Sequence, residues 1–408
     1  MLLKKNNILN EGYKNQKFID KGIGPFIYFG KKKYYDLSYC SGTLILGHNS
    51  KVFKKSLSEI SKENISLYSE PNIYAKKFVE NIKKINVNYA KFIFCNSGTE
   101  SVLKALRIVK AITNKSVIVS VTGSWHGSVD KLLFRKNNAS ILPMSDGLDE
   151  NDRKNIKIID YNDIKKSRDI LEKNKNKISC IIIEPIQGCL PDPEIKKYLK
   201  FLSNFSKKNK CILIFDEIIT GLRTKKGSVQ NYYNLKPDIS LFGKSYGGGL
   251  PIGIIAINKK IDQIIRKKKL NIFFGGTFSA NAITSYVGSE TTSYLVKNKS
   301  IINKLENFSE YFQKKVNSFL IENNIDARVY RFQTMLRIVF SKKTIKNRLA
   351  RDFFESKSQK NINQFKNFLF EKKILYPKNG IIFFSNANKK NHIDYFIKNI
   401  SSGLKSFF

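Results

Sequence analysis

Five short apolar runs punctuate the chain, at residues 92–95, 116–121, 178–183, 211–215 and 239–242. Each is too brief for a helix and apolar at nearly every position, the pattern of strands buried on both faces in an open α/β sheet. After the first run, Val102, Leu103, Leu106 and Val109 keep a helical spacing that predicts a helix opening at Ser97, Gly98 and Thr99. Earlier, Gly30 and the lysines behind it predict a turn between two short strands. Residues 130–170 carry no clear pattern. From about residue 295 the arrangement changes to that of a smaller α+β unit. It has a helix over 302–319 and strands over 335–340 and 380–384. Asn347, Arg348, Arg351, Asp352 and Glu355 are spaced like one charged helix face, expected to be solvated.

The chemistry gathers where the apolar runs stop. The run at 239–242 ends at Gly243 and delivers Lys244 onto a stretch containing Gly247, Gly248 and Gly249, where the backbone must turn tightly or approach something closely. An amine desolvated there has a lowered pKa and can form a Schiff base with a carbonyl; the plainer alternative is a surface lysine before a glycine-rich loop. The run at 211–215 ends on Asp216 and Glu217, and an acid at a strand's carboxyl end lies where open α/β sheets bind ligands. An ionised carboxylate there is costly unless it faces a cation or a metal. Glu184 repeats that logic after the run at 178–183. Ser97, Gly98 and Thr99 at a helix start offer N–H groups and hydroxyls to a phosphate, or serve as an ordinary N-cap. Trp125, the chain's single tryptophan, sits beside His126 between two glycines, an unusual setting for a core tryptophan.

Composition changes this picture little. Lysine and arginine number 73 against 33 acids, a net charge of +40 over 408 residues. The lysines are scattered, with no basic tail, so a global lysine bias accounts for them and polyanion binding is incidental. A basic, non-catalytic α/β scaffold that binds nucleic acid is a remote alternative. Five cysteines without a C-x-x-C pair point to a reduced, cytoplasmic protein with no structural metal. The first fourteen residues are too weakly apolar for a signal peptide, and no run is long enough to cross a membrane.

Taken together, FDEIITGLR, NYYNLKPD and LFGKSYGGGLPIG, in that order and spacing, resemble the class III aminotransferases of pyridoxal-phosphate fold type I. Within that family they are most similar to the glutamate-1-semialdehyde 2,1-aminomutases. The resemblance runs from about Tyr35 to about Gly288. It implies a mostly parallel central sheet with helices on both faces and a smaller α+β domain. The division would be an N-terminal segment over 1–50, a large cofactor-binding domain over 51–290 and a small domain over 291–408. It further implies pyridoxal 5′-phosphate held by Lys244, with Asp216 on the ring nitrogen and Trp125 and Ile218 on the two ring faces. Ser97, Gly98 and Thr99 would take the phosphate, His126 and Glu184 would support the site, and Gln187 would contact the phenolic oxygen. Thr277, in NIFFGGTFSANAITS, would reach the phosphate of the neighbouring subunit, so a homodimer is implied. His48 reads as structural.

Two features depart from the aminomutase pattern. Gln187 and Cys189 stand where other residues are usual, and a C-terminal Phe-Glu pair is replaced by Lys378, Asn379, Gly380 and Ile381. The resemblance implies intramolecular amino transfer giving 5-aminolevulinate. The departures favour the alternative, a class III aminotransferase with a separate amino donor and a carbonyl substrate such as a sugar-linked one. Arg223, Arg331 and Arg337 are candidates for a substrate carboxylate, which the sequence leaves unranked.

Overall fold

The computed structural model describes residues 18–137 and 140–408; the segment read for a signal peptide lies outside the described residues. The centre is a seven-stranded sheet of β1 (Tyr89–Cys95), β2 (Val117–Val121), β3 (Ile156–Ile159), β4 (Ile178–Ile183), β5 (Ile212–Asp216), β6 (Ile239–Gly243) and β7 (Gly253–Asn258). Their order is β1-β7-β6-β5-β4-β2-β3, and only β7 runs against the others. All five predicted strands are present. The sequence reading missed β3 and β7.

Side-chain alternation explains why both faces are apolar. Val117, Val119, Ile181, Ile183, Leu213 and Phe215 point into one core, shared with Leu199 and Leu202 of the helix Lys196–Asn209. Ile118, Cys180, Ile182, Ile212, Ile214 and Leu241 point into the opposite core, against Val102, Ala105, Ile108 and Val109 of α1 (Gly98–Thr113). Helices therefore cover both faces, and the carboxyl ends of β1, β2, β4, β5 and β6 open together along one edge.

An early and a late segment of the described chain meet in a second sheet. Lys21–Ile23, Phe26–Phe29 and Lys32–Asp36 pair in sequence, with the expected turn at Gly30 (φ +60°), and Ile374–Leu375 joins Lys32–Asp36 in parallel. A third sheet holds Arg328–Phe332, Met335–Val339 and Ile381–Phe383, beside the helix Ser300–Glu322.

One expectation fails in part. The charged face of the helix α2 (Arg348–Lys357) is solvated at Arg348 and Asp352 but not throughout. Arg351 and Glu355 turn inward, where the Arg351 guanidinium donates to the Cys189 carbonyl at 2.6 Å and lies 3.4 Å from Glu355. Arg337 donates to the same carboxylate at 3.3 Å and also to the Asn379 carbonyl. Thus a glutamate does reach the neighbourhood of Asn379, from α2 rather than from the segment around residue 378. No helix among the described residues is long and apolar enough to cross a membrane.

Candidate active site

Lys244 leaves β6 with left-handed backbone (φ +45°) and opens a short helical turn, Lys244–Gly247. A non-glycine residue in that region is strained and needs its surroundings to hold it. Ser245 does part of this: its hydroxyl donates to the Gly42 carbonyl at 3.1 Å. The following turn needs Gly248 (φ +62°), because a Cβ there would strike the Thr291 hydroxyl. Burial pushes the Lys244 amine below its ordinary pKa, the carboxylates of Asp216 and Glu184 oppose that shift, and the Arg223 guanidinium adds to it.

Asp216 ends β5, the strand next to β6, and pairs in register with Leu241. It is buried, with Oδ2 2.8 Å from His126 Nδ1 and Oδ1 accepting the Ile218 N–H at 3.1 Å. His126 is buried too, and its Nε2 has no partner among the described residues. Glu184, immediately beyond β4, accepts the N–H groups of Trp125 at 2.7 Å and Gly188 at 3.3 Å. Burial pushes its carboxyl up to about 7, with His126 pulling down and Asp216 pushing up. Glu217, to which the sequence reading gave no role, is fully buried. It braces the turn by accepting the N–H groups of Val229 and Gln230 and the Thr220 hydroxyl.

At the start of α1, Ser97 is the N-cap, its hydroxyl accepting the Glu100 N–H at 3.1 Å. The ordinary capping role is therefore present, while the earlier first-turn N–H groups have no intrahelical partner and face the positive end of the dipole. The Thr99 hydroxyl accepts the Ser128 N–H at 3.2 Å, tying the helix start to the loop after His126. Ile218 overlies the same start: a Cβ on Gly98 would sit 2.7 Å from Ile218 Cδ1. Trp125 is 53% exposed.

Gln187 is fully buried, with Nε2 donating to the Thr122 carbonyl at 2.8 Å and the Ser124 hydroxyl at 3.1 Å. Both amide hydrogens are thus engaged in bracing that turn. Thr277 is exposed; its segment lies along α1, where Lys104 holds the Phe274 carbonyl and Arg107 the Phe273 carbonyl. His48 pairs with Asp36 at 2.9 Å, the structural role read from the sequence.

A second element went unread. Tyr39–Gly42 is a left-handed turn, with φ of 46°, 53°, 52° and 87° along it. Arg223, entirely buried, donates to the Gly42 carbonyl and lies 4.4 Å from the Phe383 ring centre. Only Gly42 hints at this in the sequence.

The donor set suits pyridoxal phosphate. A half-buried amine, a buried carboxylate pair able to face a cationic ring nitrogen, an apolar side chain over a helix N-terminus and unpaired first-turn N–H groups converge on one edge. The unpartnered Nε2 of His126 lies in the same cluster.

The family described as aminotransferase class-III matches residues 9–364. The chain belongs to the class-III aminotransferases. As such it is an enzyme that works with pyridoxal phosphate. The glutamate-1-semialdehyde 2,1-aminomutase of Methanosphaera stadtmanae is 33% identical over 342 residues, which cover 79% of this chain and 78% of the relative. Among solved structures, an omega-transaminase from Sphaerobacter thermophilus superposes with a TM-score of 0.89 at 19% identity, covering 99% of this chain and 96% of that one. A glutamate-1-semialdehyde-aminomutase from Pseudomonas aeruginosa PAO1 gives 0.86 at 15% identity, covering 96% and 88%. At such identities the structural likeness speaks for the fold, which is class-III aminotransferase fold type I.

Proposed function

We propose that this class-III aminotransferase moves an amino group within glutamate-1-semialdehyde to give 5-aminolevulinate. The observation that carries the reading is the convergence of Lys244, Asp216 and Glu184 at the ends of adjacent strands. The similarity to curated aminomutases over more than three quarters of the chain narrows the substrate.

When bound, pyridoxal phosphate supplies an electron-poor ring that accepts electron density from the carbon bearing the amino group. In this reading Asp216, oriented by His126, keeps the ring nitrogen protonated. The Lys244 amine, favoured in its neutral form by burial, takes up and returns the proton at the reacting carbon. Ile218 and Trp125 would hold the ring and the start of α1 would take the phosphate, with Thr277 of a second copy contributing to that cradle in a homodimer. Gln187 supports the turn at residues 122–124 and, through it, the Trp125 side of the site. The free thiols Cys40, Cys95, Cys180, Cys189 and Cys211 suit a reducing cytoplasm.

The test is to offer glutamate-1-semialdehyde alone, then with an amino donor. Conversion without a donor supports the intramolecular reaction. Conversion only with a donor gives the second reading, a two-substrate aminotransferase, which the presence of Gln187 and Cys189 favours.

A further inference from the structure

We propose that Arg348, at the start of α2, is the specificity-determining residue that receives the substrate's carboxylate. The assignment rests on the amino-transfer reading above and names the part of the site that reading leaves open.

Arg348 packs on the loop that carries Trp125. A Cβ on Gly123 would lie 2.6 Å from Arg348 Cβ and 3.0 Å from Gln187 Oε1, so Arg348, Gln187 and residues 122–124 form one continuous wall. That wall runs on through the Trp125 N–H to Glu184, beside Asp216 and Lys244.

The guanidinium of Arg348 is held only lightly. Its Nη1 reaches the Gly123 carbonyl at 3.4 Å, and its Nε reaches Asp352 at 3.2 Å in an ion pair whose partners are 33% and 46% exposed. Exposed pairs of this kind hold weakly and exchange readily. Behind it stand Arg351 and Arg337, both buried and sharing the carboxylate of Glu355; Arg351 also pairs with Asp352, and Arg337 Nε has no partner among the described residues. Three guanidiniums therefore face two carboxylates, Asp352 and Glu355. Cys189, bonded through its thiol to the Gly123 carbonyl and Gln187 Oε1, does not redress the balance. Burial pushes its thiol up to about 11, against the pull of the three arginines, so it stays neutral.

The cluster, which Lys366 joins beside Arg337 and Glu355, is short of negative charge. A guanidinium fork matches a planar carboxylate through two parallel hydrogen bonds, a fit that an ammonium lacks. Of the other candidates, Arg331 is spent on Gln313, the Gln333 carbonyl and Glu306. Arg223 is fully buried and donates to the Gly42 carbonyl, leaving its Nη1 without a partner among the described residues, so it lacks the exposed, lightly held fork that Arg348 presents.

The test titrates the holoenzyme with glutarate, a five-carbon dicarboxylate without an amine, and follows the fluorescence of the single tryptophan, Trp125. Arg348→Gln should weaken glutarate binding by about 10- to 100-fold, the loss of charge-assisted hydrogen bonds. Arg348→Lys, which keeps charge and loses the fork, should fall between, and Arg266→Gln on a remote exposed helix should match the wild type. In turnover the same loss should appear in KM, with kcat changed by less than about threefold. The assignment is overturned if the wild type does not bind glutarate, or if Arg348→Gln binds it within about twofold of the wild type. Arg348-dependent glutarate binding without turnover of glutamate-1-semialdehyde would remove the substrate reading and leave the carboxylate site standing. Turnover with unchanged KM in Arg348→Gln would do the reverse.

Discussion

His126 Nδ1 lies 2.8 Å from Asp216 Oδ2, and both side chains are buried. With Oδ1 already accepting the Ile218 N–H, the carboxylate is fixed in plane at both oxygens. In the proposed mechanism the imidazole acts through Asp216, as a positioning residue. Replacing Asp216 by Asn should leave pyridoxal phosphate bound but cut kcat by about 10²- to 10⁴-fold, because an amide cannot keep the ring nitrogen protonated. His126→Ala should cost less in kcat and move the pH profile and the cofactor's absorbance maximum. A merely structural histidine would leave that maximum where it is.

Lys244→Ala removes the group to which the proposed mechanism gives the proton transfer. The variant should still bind pyridoxal phosphate, yet borohydride should no longer fix the yellow colour to the chain, and turnover should drop by more than about 10³-fold. Mass spectrometry after reduction reads the first effect and steady-state rates the second. Covalent attachment in Lys244→Ala would move the assignment to another lysine.

Glu184 gives the protein a pH signature. Its carboxyl ordinarily titrates at 4.5 and in the fold at about 7, chiefly through burial. Between these values the folded state binds more protons than the unfolded one. The stabilisation is therefore complete below pH 4.5 and is lost as pH rises through 7. In urea unfolding of the cofactor-free protein, Glu184→Gln should flatten that decline by up to about 3 kcal/mol. Equal slopes for the variant and the wild type would show that Glu184 titrates normally in the fold.

Gly253 opens β7 directly beside the end of β1, and a Cβ there would run into the Ser97 carbonyl. That contact is backbone and cannot rotate away. Gly253→Ala should push the start of α1 out of place, lowering stability by about 2 kcal/mol or more and weakening pyridoxal phosphate binding. Thermal unfolding with and without the cofactor separates the two losses. The stabilisation that the cofactor adds should shrink in the variant.

The five apolar runs were readable because burial on both faces leaves no polar alternation to confuse with a helix. β7 was hidden by its place: Gly253 reads as the last residue of a glycine-rich loop, although GIIAI continues it in the same style as the other strands. Lys244, Asp216 and Glu184 were legible because each is the first charge after an apolar run. Arg351 and Glu355 were misread because spacing along one helix cannot tell whether another part of the chain covers it. Here the cover comes from Cys189, distant in sequence, and from Arg337 on another element. The left-handed turn Tyr39–Gly42 had no local signal beyond one glycine, since its hold comes from Arg223 and Ser245.

Gly243 and Gly253 face each other across β6 and β7, so the loop carrying Lys244 departs and returns at a single point of the sheet. Its neck is thus closed by backbone hydrogen bonds, and the lysine sits at the neck rather than at the tip. Residues farther out can drift in length or character between relatives without dragging the amine with them. The chain can therefore revise what it accepts as substrate while the amine proposed to move the proton stays moored.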